Sequence, residues 1–372
     1  MLAYAVDTET CVLTPLDASA TLRANVQYAC AARSGQVLYV VSSNGGPGAA
    51  GNVHHLTAFE IDPATGALRK VGDGVALRQR PIHVTTDIPS EHVLITYNDP
   101  SAISVHRILP DGGIGAEVAQ PHDLDLGIYA HETRIAASNQ AAIVVARGNN
   151  PTSAKAEDPG ALKVFTYRNG VLNNRTSVAP AGGIGFGPRN VDLDATGGWI
   201  YVSLERQNTL ATFKVNGLTI ADEPSFQCDT LDDHAKVRPM QLAGAVQVHP
   251  KGRFVYLANR AFGTTEDEGA EVFAGGENTI VVYAIDDATG EPRRVQSIAT
   301  EGISPRTFSI DASGSVLIVG NSRTMLVREG ANVSTTAANV SVFAIKGNGR
   351  LEHKRSYEVD RSGEQLFWSG LV

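Results

Sequence analysis

The chain has few of the residues and patterns that mark disulfide-rich, membrane or secreted proteins. Its 372 residues include only three cysteines, Cys11, Cys30 and Cys228, an odd number that we interpret as reduced thiols of a cytoplasmic protein. No apolar run approaches the roughly 18 residues of a membrane-spanning segment. The N-terminal stretch MLAYAVDTETCVLTPL lacks the basic start and long apolar core of a signal peptide. We therefore expect a cytoplasmic protein without a membrane partner.

Positive charge and helical periodicity are also scarce. The 31 lysines and arginines are outnumbered by 39 acidic residues, which gives a net charge of -8. An overall negative field repels phosphates, so we expect no nucleic-acid partner and allow only for a local basic pocket. No segment sustains a 3.6-residue apolar period, and the 37 glycines and 17 prolines indicate many turns. These features predict an all-β chain.

What the chain does contain is a repeated unit of about 50 residues, best seen from Ala245 to Val295. It reads AVQV, the turn HPKG and the run RFVYLANR; after an acidic insertion come TIVVYAI, the turn DDATG and a short last run. Apolar and polar residues that alternate between Gly, Pro and Asp turns are typical of antiparallel strands. Four such strands form one blade of a β-propeller, whose repeat has about this length.

Six copies of this unit cover roughly residues 20 to 360, with second-strand centres at Tyr39, Leu94, Val144, Tyr201, Tyr256 and Leu317. The stretches AYAV and CVLTPL at the start and QLFWSGLV at the end do not make a full unit by themselves. We predict that residues 1–372 form a single seven-bladed β-propeller with blades of four antiparallel strands. Strands from both termini would close the ring, which removes exposed sheet edges.

Equivalent positions of the repeats define two rings of side chains at one end of the predicted channel. The first ring, at the start of the inner strands, comprises Gln27, Ile82, His131, Arg189, Gly244 and Arg306. The second ring, at the end of the second strands, comprises Ser43, Asn98, Arg147, Glu205, Arg260 and Ser322. Positions that only supported the scaffold would resemble one another, and these do not. We therefore interpret the rings as candidate functional positions.

Arginine is in excess in these rings. Like charges 4 Å apart repel by about 4 kcal/mol at an effective dielectric constant near 20, so converging arginines indicate a missing anion. The guanidinium fork suits a carboxylate or a phosphate. His131 and Glu205 add an acid/base pair beside donors for an oxyanion. The structural alternative is a network of ion pairs between blades, with Glu205 pairing one arginine and His131 hydrogen-bonded in the channel.

Three segments also resemble a known family: GPRNVDLDATGGWIYVSLE, VHPKGRFVYLANR and SPRTFSIDASGSVLIVGNS are similar to segments of the lactonase seven-bladed propellers. This family includes bacterial propeller-type 6-phosphogluconolactonases and fungal carboxymuconate-lactonizing enzymes. The resemblance covers nearly the whole chain and implies that His131, Arg189, Glu205 and Arg260 are catalytic. Two departures from the family pattern, Asn190 in place of a frequent histidine and a changed sequence context around Glu205, leave the substrate open.

The resemblance implies a lactonase that hydrolyses an acidic sugar lactone, either 6-phosphogluconolactone or an aldaric acid lactone such as that of glucaric or galactaric acid. Arg189 and Arg260 would hold the anionic group and the oxyanion. His131 and Glu205 would activate water and protonate the leaving hydroxyl, and the sequence leaves open which does which. Further candidate substrate-binding residues are Arg147, Arg306, Asn190 and Gln27.

Two other functions remain alternatives at this stage. One is a cycloisomerase of the carboxymuconate type that uses the same residues, and the other is a non-catalytic propeller that binds a protein. The charged side chains predicted inside the channel argue against the second. No clustered set of His, Cys and Asp predicts a metal site, so we expect no metal and no cofactor. The expected partner is a small acidic lactone, and the expected state is a monomer or a weak homodimer.

Overall fold

Antiparallel strands make up almost all of the regular structure, together with two short 3-10 turns at Pro180–Gly183 and His234–Lys236. The computed structural model describes residues 1–194, 196–359 and 365–372. Its strands form six blades of at least four strands and a separate N-terminal hairpin. The prediction of an all-β propeller arrangement is confirmed. Within the described ranges, no helix has the length and apolar character needed to cross a membrane.

The strands of the first three blades follow one another without interruption. The N-terminal hairpin consists of β1 (Leu2–Asp7) and β2 (Val12–Ser19). Blade one comprises β3 (Asn25–Ala31), β4 (Val37–Ser43), β5 (His54–Ile61) and β6 (Leu68–Ala76). Blade two comprises β7 (Pro81–Thr86), β8 (His92–Asn98), β9 (Ser101–Ile108) and β10 (Ile114–Glu117). Blade three comprises β11 (Ala130–Ile135), β12 (Ala141–Ala146), β13 (Ala161–Arg168) and β14 (Val171–Val178).

The last three blades carry additional strands. Blade four comprises β15 (Pro188–Leu193), β16 (Trp199–Leu204), β17 (Thr209–Asn216), β18 (Thr219–Ile220) and β19 (Phe226–Asp229). Blade five comprises β20 (Gln241–Val248) and β21 (Phe254–Ala261), an inserted hairpin of β22 (Thr264–Asp267) and β23 (Ala270–Phe273), and then β24 (Thr279–Ile285) and β25 (Pro292–Ala299). Blade six comprises β26 (Ile303–Ile310) and β27 (Val316–Arg323), an inserted hairpin of β28 (Met325–Glu329) and β29 (Asn332–Thr336), and then β30 (Asn339–Ile345) and β31 (Leu351–Glu358).

The core lies between the blades and is densest along the second strand of each. All six predicted strand centres, Tyr39, Leu94, Val144, Tyr201, Tyr256 and Leu317, are fully buried at 0% exposure. These strands have neighbours on both edges and blades on both faces, which explains why they read as nearly continuous apolar runs.

Tyrosines in three of these strands connect one blade to the next. The hydroxyls of Tyr39 and Tyr256 donate to the carbonyls of Gly112 and Gly349 at 3.0 and 2.9 Å. Tyr201 repeats the contact with the Gly290 carbonyl at 3.3 Å. Each acceptor lies in a turn of the following blade, with φ of +73° at Gly290 and +77° at Gly349. A buried hydroxyl needs such a partner, so this contact fixes the spacing between neighbouring blades.

Every inner strand contains a β-bulge at the position that the repeat comparison placed in the first ring. The register of β11 against β12 shifts across His131, that of β15 against β16 across Arg189, and that of β26 against β27 across Arg306. The inner strands of the other three blades shift at Gln27, at Ile82 and between Ala243 and Val246. A bulge leaves one residue outside the ladder and re-aims its side chain.

The two inserted hairpins lie side by side. The β22–β23 and β28–β29 hairpins belong to neighbouring blades and contact each other through β23 and β28. Arg328 of the second hairpin forms ion pairs with Asp267 and Glu268 of the first. Both follow the second strand of their blade, so they rise on the same face of the propeller as the second ring.

The predicted closure of the ring is seen only in part. The β1–β2 hairpin packs Leu13 against Val316 and Val342 of blade six, and Met1 packs with the core of blade one. Residues 365–372 have no regular strand, although Ser369 N donates to Thr307 Oγ1 at 3.0 Å. The structure therefore shows six complete blades and a two-stranded N-terminal sheet. A four-stranded seventh blade stays a prediction.

Candidate active site at the mouth of the channel

Three arginines from three consecutive blades converge on one carboxylate. Glu205, which follows β16, is 2% exposed. Its Oε2 accepts a hydrogen bond from Arg147 Nη1 at 2.7 Å, and its Oε1 lies 2.8 Å from Arg189 Nε and also accepts from Arg260. We call Arg147, Arg189, Glu205 and Arg260 the mouth cluster. Its net charge is positive, because three cations surround one anion.

The electrostatics of the mouth cluster keep Glu205 ionised. Burial alone would raise the pKa of this carboxyl, but the charges of Arg189, Arg260 and Arg147 outweigh burial and lower the pKa to about 2. Burial and the charge of Arg189 lower the pKa of Arg260 to about 10, which still leaves it protonated at neutral pH. The network of ion pairs that we gave as the structural alternative is therefore present, but Glu205 pairs with three arginines and not one, which leaves an excess of positive charge.

His131 supplies a neutral base beside this cluster. Burial first, and then the charges of Arg189, Arg147 and Arg306, lower its pKa well below the ordinary value of 6.5. Its Nδ1 is buried and has no hydrogen-bond partner among the described residues. A histidine held structurally in the channel would normally have such a partner. Within the same residues, the Nδ1 atoms of His83 and His106 are also buried without a partner, so it is the position of His131 in the electrostatic range of Arg189 and Arg147 that favours a functional role.

Two further arginines extend the positive region. Arg306 stacks on the Phe367 ring at 3.8 Å from the ring centroid, and burial together with the charges of Arg189, Arg260 and Arg80 lowers its pKa well below the ordinary value. Arg80 is 8% exposed, and its Nε donates to Gln27 Oε1 at 3.0 Å. Neither has an acidic partner within 4.0 Å among the described residues. The comparison of the repeats missed Arg80, because it placed Ile82, which lies two residues later, in the first ring.

Two predicted substrate-binding residues are engaged within the protein. Asn190 accepts from Arg189 Nη1 at 2.6 Å and donates to Glu132 Oε2 at 2.5 Å. Gln27 accepts from Arg80 and directs its amide to the carbonyls of Ser43 and Gly45 at 3.4 and 3.3 Å. Both amides therefore orient arginines rather than present free groups to a ligand.

A second polar cluster lies deeper in the channel and was not predicted. Glu132 Oε1 is 2.7 Å from Arg134 Nε, which also donates to the Val191 carbonyl at 3.2 Å. Burial raises the pKa of both Glu132 and Asp192, although Arg134 partly offsets this effect. Asn190 connects this cluster to Arg189. The orientation of Arg189 therefore depends on Glu205 on one side and on Asn190 and Glu132 on the other. Glu132 and Arg134 lie outside both aligned rings, which is why the repeat comparison did not select them.

The backbone at the mouth is locally strained. Tyr129, two residues before the His131 bulge, has a φ of +60°, and Ser304 has the same φ two residues before the Arg306 bulge. The guanidinium of Arg147 lies 4.0 Å from the Tyr129 ring centroid. Left-handed conformations cost residues other than glycine about 1–3 kcal/mol, but they also occur in ordinary strand turns of this chain, for example at Ser90 and Asn139, so they do not by themselves mark the site.

A cavity of about 250 Å³ opens at the opposite end of the inner strands. It is lined by later residues of these strands, including Tyr28, Thr85 and Arg134, and by residues 368–372. It contains no member of the mouth cluster. The candidate active site is therefore the arginine-rich end, where the chemically reactive side chains converge.

The propeller arrangement and the charged channel mouth agree with what the resemblance to the lactonase propellers implies. Residues 1–329 match the model of the family described as "Lactonase, 7-bladed beta-propeller". The chain belongs to this family, which confirms the resemblance seen in the sequence and the prediction of an enzyme of the lactonase class.

Individual relatives are consistent with this assignment. The chain is 24% identical over 336 residues to a 6-phosphogluconolactonase of Bacillus subtilis, covering 87% of this chain and 84% of the relative. A 6-phosphogluconolactonase of Formosa agariphila is 24% identical over 276 residues, covering 72% and 70% of the two chains. Among solved structures, the periplasmic gluconolactonase of Pseudomonas aeruginosa superposes with a TM-score of 0.71 at 20% identity, covering 97% of this chain and 92% of that one.

Proposed function

We propose that the protein hydrolyses the ester bond of an acidic sugar lactone at the mouth cluster. The observation that carries the proposal is the convergence of Arg147, Arg189 and Arg260 on the single carboxylate of Glu205, beside His131, whose Nδ1 has no hydrogen-bond partner in the described part of the chain. The relatives named 6-phosphogluconolactonase support the same reaction class. The substrate classes are those expected from the sequence, 6-phosphogluconolactone or an aldaric acid lactone.

Glu205 acts in this mechanism by positioning arginines. A carboxyl with a pKa near 2 carries no proton to donate at neutral pH, and both of its oxygens already accept from guanidinium groups. We expected Glu205 to share proton transfer with His131; its contacts favour a positioning role instead. The rigid contacts hold Arg189 and Arg260 where they can stabilise the oxyanion, without reorganisation during the reaction.

His131 is assigned both proton transfers. Its neutral imidazole accepts a proton from water while the water oxygen bonds to the lactone carbonyl carbon. The carbonyl π electrons move to the oxygen, and the arginines stabilise that oxyanion. When the tetrahedral intermediate collapses, the bond to the ring oxygen breaks and the imidazolium returns its proton to that oxygen. The products are a carboxylic acid, ionised at neutral pH, and a free hydroxyl, so no covalent enzyme intermediate forms.

The test is lactone hydrolysis followed in a pH-stat, with 6-phosphogluconolactone, glucarolactone and galactarolactone as substrates. Wild-type protein should exceed the spontaneous rate with at least one of them. His131→Asn should lower kcat by about 10²- to 10⁴-fold, the range for a lost general base. In the wild type, kcat/KM should decline on the acid side only well below pH 6.5, because the pKa of the free imidazole is lowered.

His122→Asn is the matched control, since His122 is exposed in the loop before blade three. The proposal fails if no lactone is hydrolysed above the spontaneous rate, or if His131→Asn and His122→Asn have equal activity. Loss of diene absorbance from a carboxylated muconate, without lactone hydrolysis, would instead assign the cycloisomerase reaction. A cytoplasmic location and a monomeric or weakly dimeric state remain proposals alongside this one.

A further inference from the structure

The Asn190 side chain lies between the mouth cluster and the polar cluster deeper in the channel. Its Oδ1 accepts from Arg189 Nη1 at 2.6 Å, and its Nδ2 donates to Glu132 Oε2 at 2.5 Å. All three side chains are closely enclosed, because Glu132 is 1%, Arg189 5% and Asn190 7% exposed. The lactonase mechanism gives a role to Arg189 and none to Glu132.

The two neighbours of Asn190 allow its amide only one orientation. A guanidinium can only donate, so Arg189 must face the amide oxygen. Glu132 Oε2 accepts two N–H groups, one from Asn190 Nδ2 and one from Val191 N at 3.3 Å, so the amide nitrogen must face Glu132. A reversed amide would place two donors together on one side and two acceptors on the other. Glu132 therefore decides which end of the amide Arg189 meets.

Glu132 is itself fixed by two neighbouring blades. It pairs with Val145 in the β11–β12 ladder of blade three. Its Oε1 lies 2.7 Å from Arg134 Nε, and Arg134 donates to the Val191 carbonyl of β15, in blade four, at 3.2 Å. The Val191 amide contributes a further contact to the carboxylate. The position of this carboxylate is therefore set by the scaffold.

Arg189 has less support from the backbone. The register of β15 against β16 shifts between Pro188 and Asn190, so Arg189 lies in a bulge outside the ladder. The guanidinium is planar, and acceptors on two different nitrogens fix its plane. These acceptors are Glu205 Oε1, 2.8 Å from Nε, and Asn190 Oδ1, which accepts from Nη1. Without the Asn190 contact, the guanidinium could rotate about its contact with Glu205.

We propose that Glu132 is a positioning residue of the lactonase site, which acts through the Asn190 amide to hold the Arg189 guanidinium in its catalytic orientation. This inference rests on the proposed function and extends it, because that mechanism needs Arg189 in place before the oxyanion forms. Glu205 then supports Arg189 from the mouth, and Glu132 supports it from inside the channel. A purely structural role for Glu132 would affect folding and leave Arg189 where it is.

The first test compares lactone hydrolysis by Glu132→Gln and Asp192→Asn. Glutamine keeps the size of the side chain but can present an oxygen or an NH2 group to Asn190, so the amide loses its single orientation. We expect kcat to fall by about 10-fold, the value of one hydrogen bond, with little change in KM, because the oxyanion exists only beyond the ground state.

Asp192→Asn is the matched control and should leave kcat unchanged. Asp192 is a second carboxylate in the electrostatic range of Arg134, and burial raises its pKa as it raises that of Glu132. Its Oδ2 accepts from Val248 N at 2.8 Å, and it has no hydrogen bond to Asn190 or Arg189.

An exchange of the two groups tests the contact itself. Asn190→Asp places a second carboxylate against Glu132 Oε2 and should lower kcat more than Glu132→Gln does. In the double variant Glu132→Gln/Asn190→Asp, an amide again donates to a carboxylate, and that carboxylate still accepts from Arg189. The kcat of the double variant should therefore recover above that of Asn190→Asp. A double variant no more active than Asn190→Asp would overturn the inference.

An NMR titration of the His131 ring reports the position of Arg189 without turnover, with the resonance assigned by its absence in His131→Asn. Burial and then the charge of Arg189 lower this pKa, and Glu132→Gln leaves the other contributing groups unchanged, which are Arg147, Arg306 and His83. If Arg189 turns away, the pKa of His131 should rise towards 6.5. Loss of the negative charge of Glu132 alone would lower it. A His131 pKa in Glu132→Gln equal to or below that of wild type contradicts the inference.

The inference and the proposed function can fail separately. If wild type hydrolyses a lactone and Glu132→Gln has the same kcat as Asp192→Asn, Glu132 is not a positioning residue and the lactonase function stands. If wild type hydrolyses no lactone, the proposed function fails, and the titration of His131 still decides whether Glu132 holds Arg189. If Glu132→Gln does not fold, the double variant decides, because it keeps both hydrogen bonds.

Discussion

At the scale of single residues, the site depends on one carboxylate that three arginines share. Glu205 was recognisable from the sequence as the only acidic member of two aligned rings. The same rings contain four arginines, among them all three that contact Glu205. Its role was not recognisable, because whether a carboxylate transfers protons or holds cations depends on distances between different blades. The contacts of 2.7 and 2.8 Å to Arg147 and Arg189 favour the second role.

Replacing Glu205 should make stability depend less on pH. The pKa of this group is lowered from 4.5 to about 2 in the folded state, so the unfolded chain binds more protons between these values. The stabilisation is complete above about pH 5 and is lost as pH falls towards 2. The shift corresponds to about 3 kcal/mol. Urea unfolding from pH 2 to 6 should show a difference between wild type and Glu205→Gln that shrinks by about this amount as pH falls.

Glu352→Gln is the control for that series. Glu352 also has a pKa lowered to about 2 by Lys346 and Lys354, but it is exposed at the surface. Solvent screens such pairs, so its replacement should barely change the pH profile. Equal pH profiles for the two variants would show that Glu205 is not the buried ionised group described here.

Arg80 shows what the residue pattern could not reveal. The repeat comparison aligned positions by strand register and therefore chose Ile82, the bulged residue of β7. The side chain that reaches the mouth starts two residues earlier, outside the strand. An arginine side chain is long enough to reach the mouth from a residue that lies two positions outside the strand. The pattern of a single sequence does not show this.

At the scale of elements, the tyrosine contacts explain how separate blades keep their spacing. Tyr256 and Gly349 lie 93 positions apart, and their hydrogen bond of 2.9 Å joins blade five to blade six. A Cβ added at Gly349 would lie 2.3 Å from the Phe254 ring, so the turn must approach its neighbour without a side chain. The sequence showed both the tyrosine and the turn glycine, but not that they meet.

Removing the Tyr256 hydroxyl should destabilise the fold measurably. Tyr256→Phe leaves a buried carbonyl without its donor, and we expect the free energy of unfolding to fall by about 1–2 kcal/mol. Tyr201→Phe should cost less, because its bond to Gly290 is longer at 3.3 Å. Urea denaturation of both variants tests this order. Tyr4→Phe in the N-terminal hairpin serves as the control, and a loss as large as that of Tyr256→Phe would contradict the argument.

The strands were more predictable than their insertions. Alternating residues located four strands in most blades, since burial on the blade faces imposes a period of two. The hairpins β22–β23 and β28–β29 have mostly exposed residues and carry little apolar alternation. The sequence therefore did not predict them as strands, and the first was visible only as an acidic insertion.

At the scale of the whole molecule, the first and last parts of the chain bring distant blades together. The segment 365–372 contacts blade six through Thr307 and Ser322, and Trp368 packs with the core of blade one. The sequence indicated that the two ends of the chain meet, because neither end contains a full repeat. The form of the contact was not predictable, because residues 365–372 lie along the channel without regular strand pairing.

Deleting residues 365–372 should weaken the whole propeller. The deletion removes the Phe367 ring from Arg306 and the Trp368 side chain from the core, and partial burial of two aromatic residues predicts a loss of about 2–5 kcal/mol. The midpoint of urea unfolding measures this loss. Deleting only Val372, which is 64% exposed, should have no effect. An unchanged midpoint in the longer deletion would show that the segment does not support the fold.

The bulges in the six inner strands have a consequence for how this scaffold can acquire new specificities. Because each bulged residue stands outside the ladder, its identity is not constrained by the alternation that packs one blade against the next. Glutamine, isoleucine, histidine, arginine and glycine all occupy the equivalent position in this one chain. Selection can therefore exchange these side chains one blade at a time, and ligand preference can diverge while the architecture is inherited unchanged.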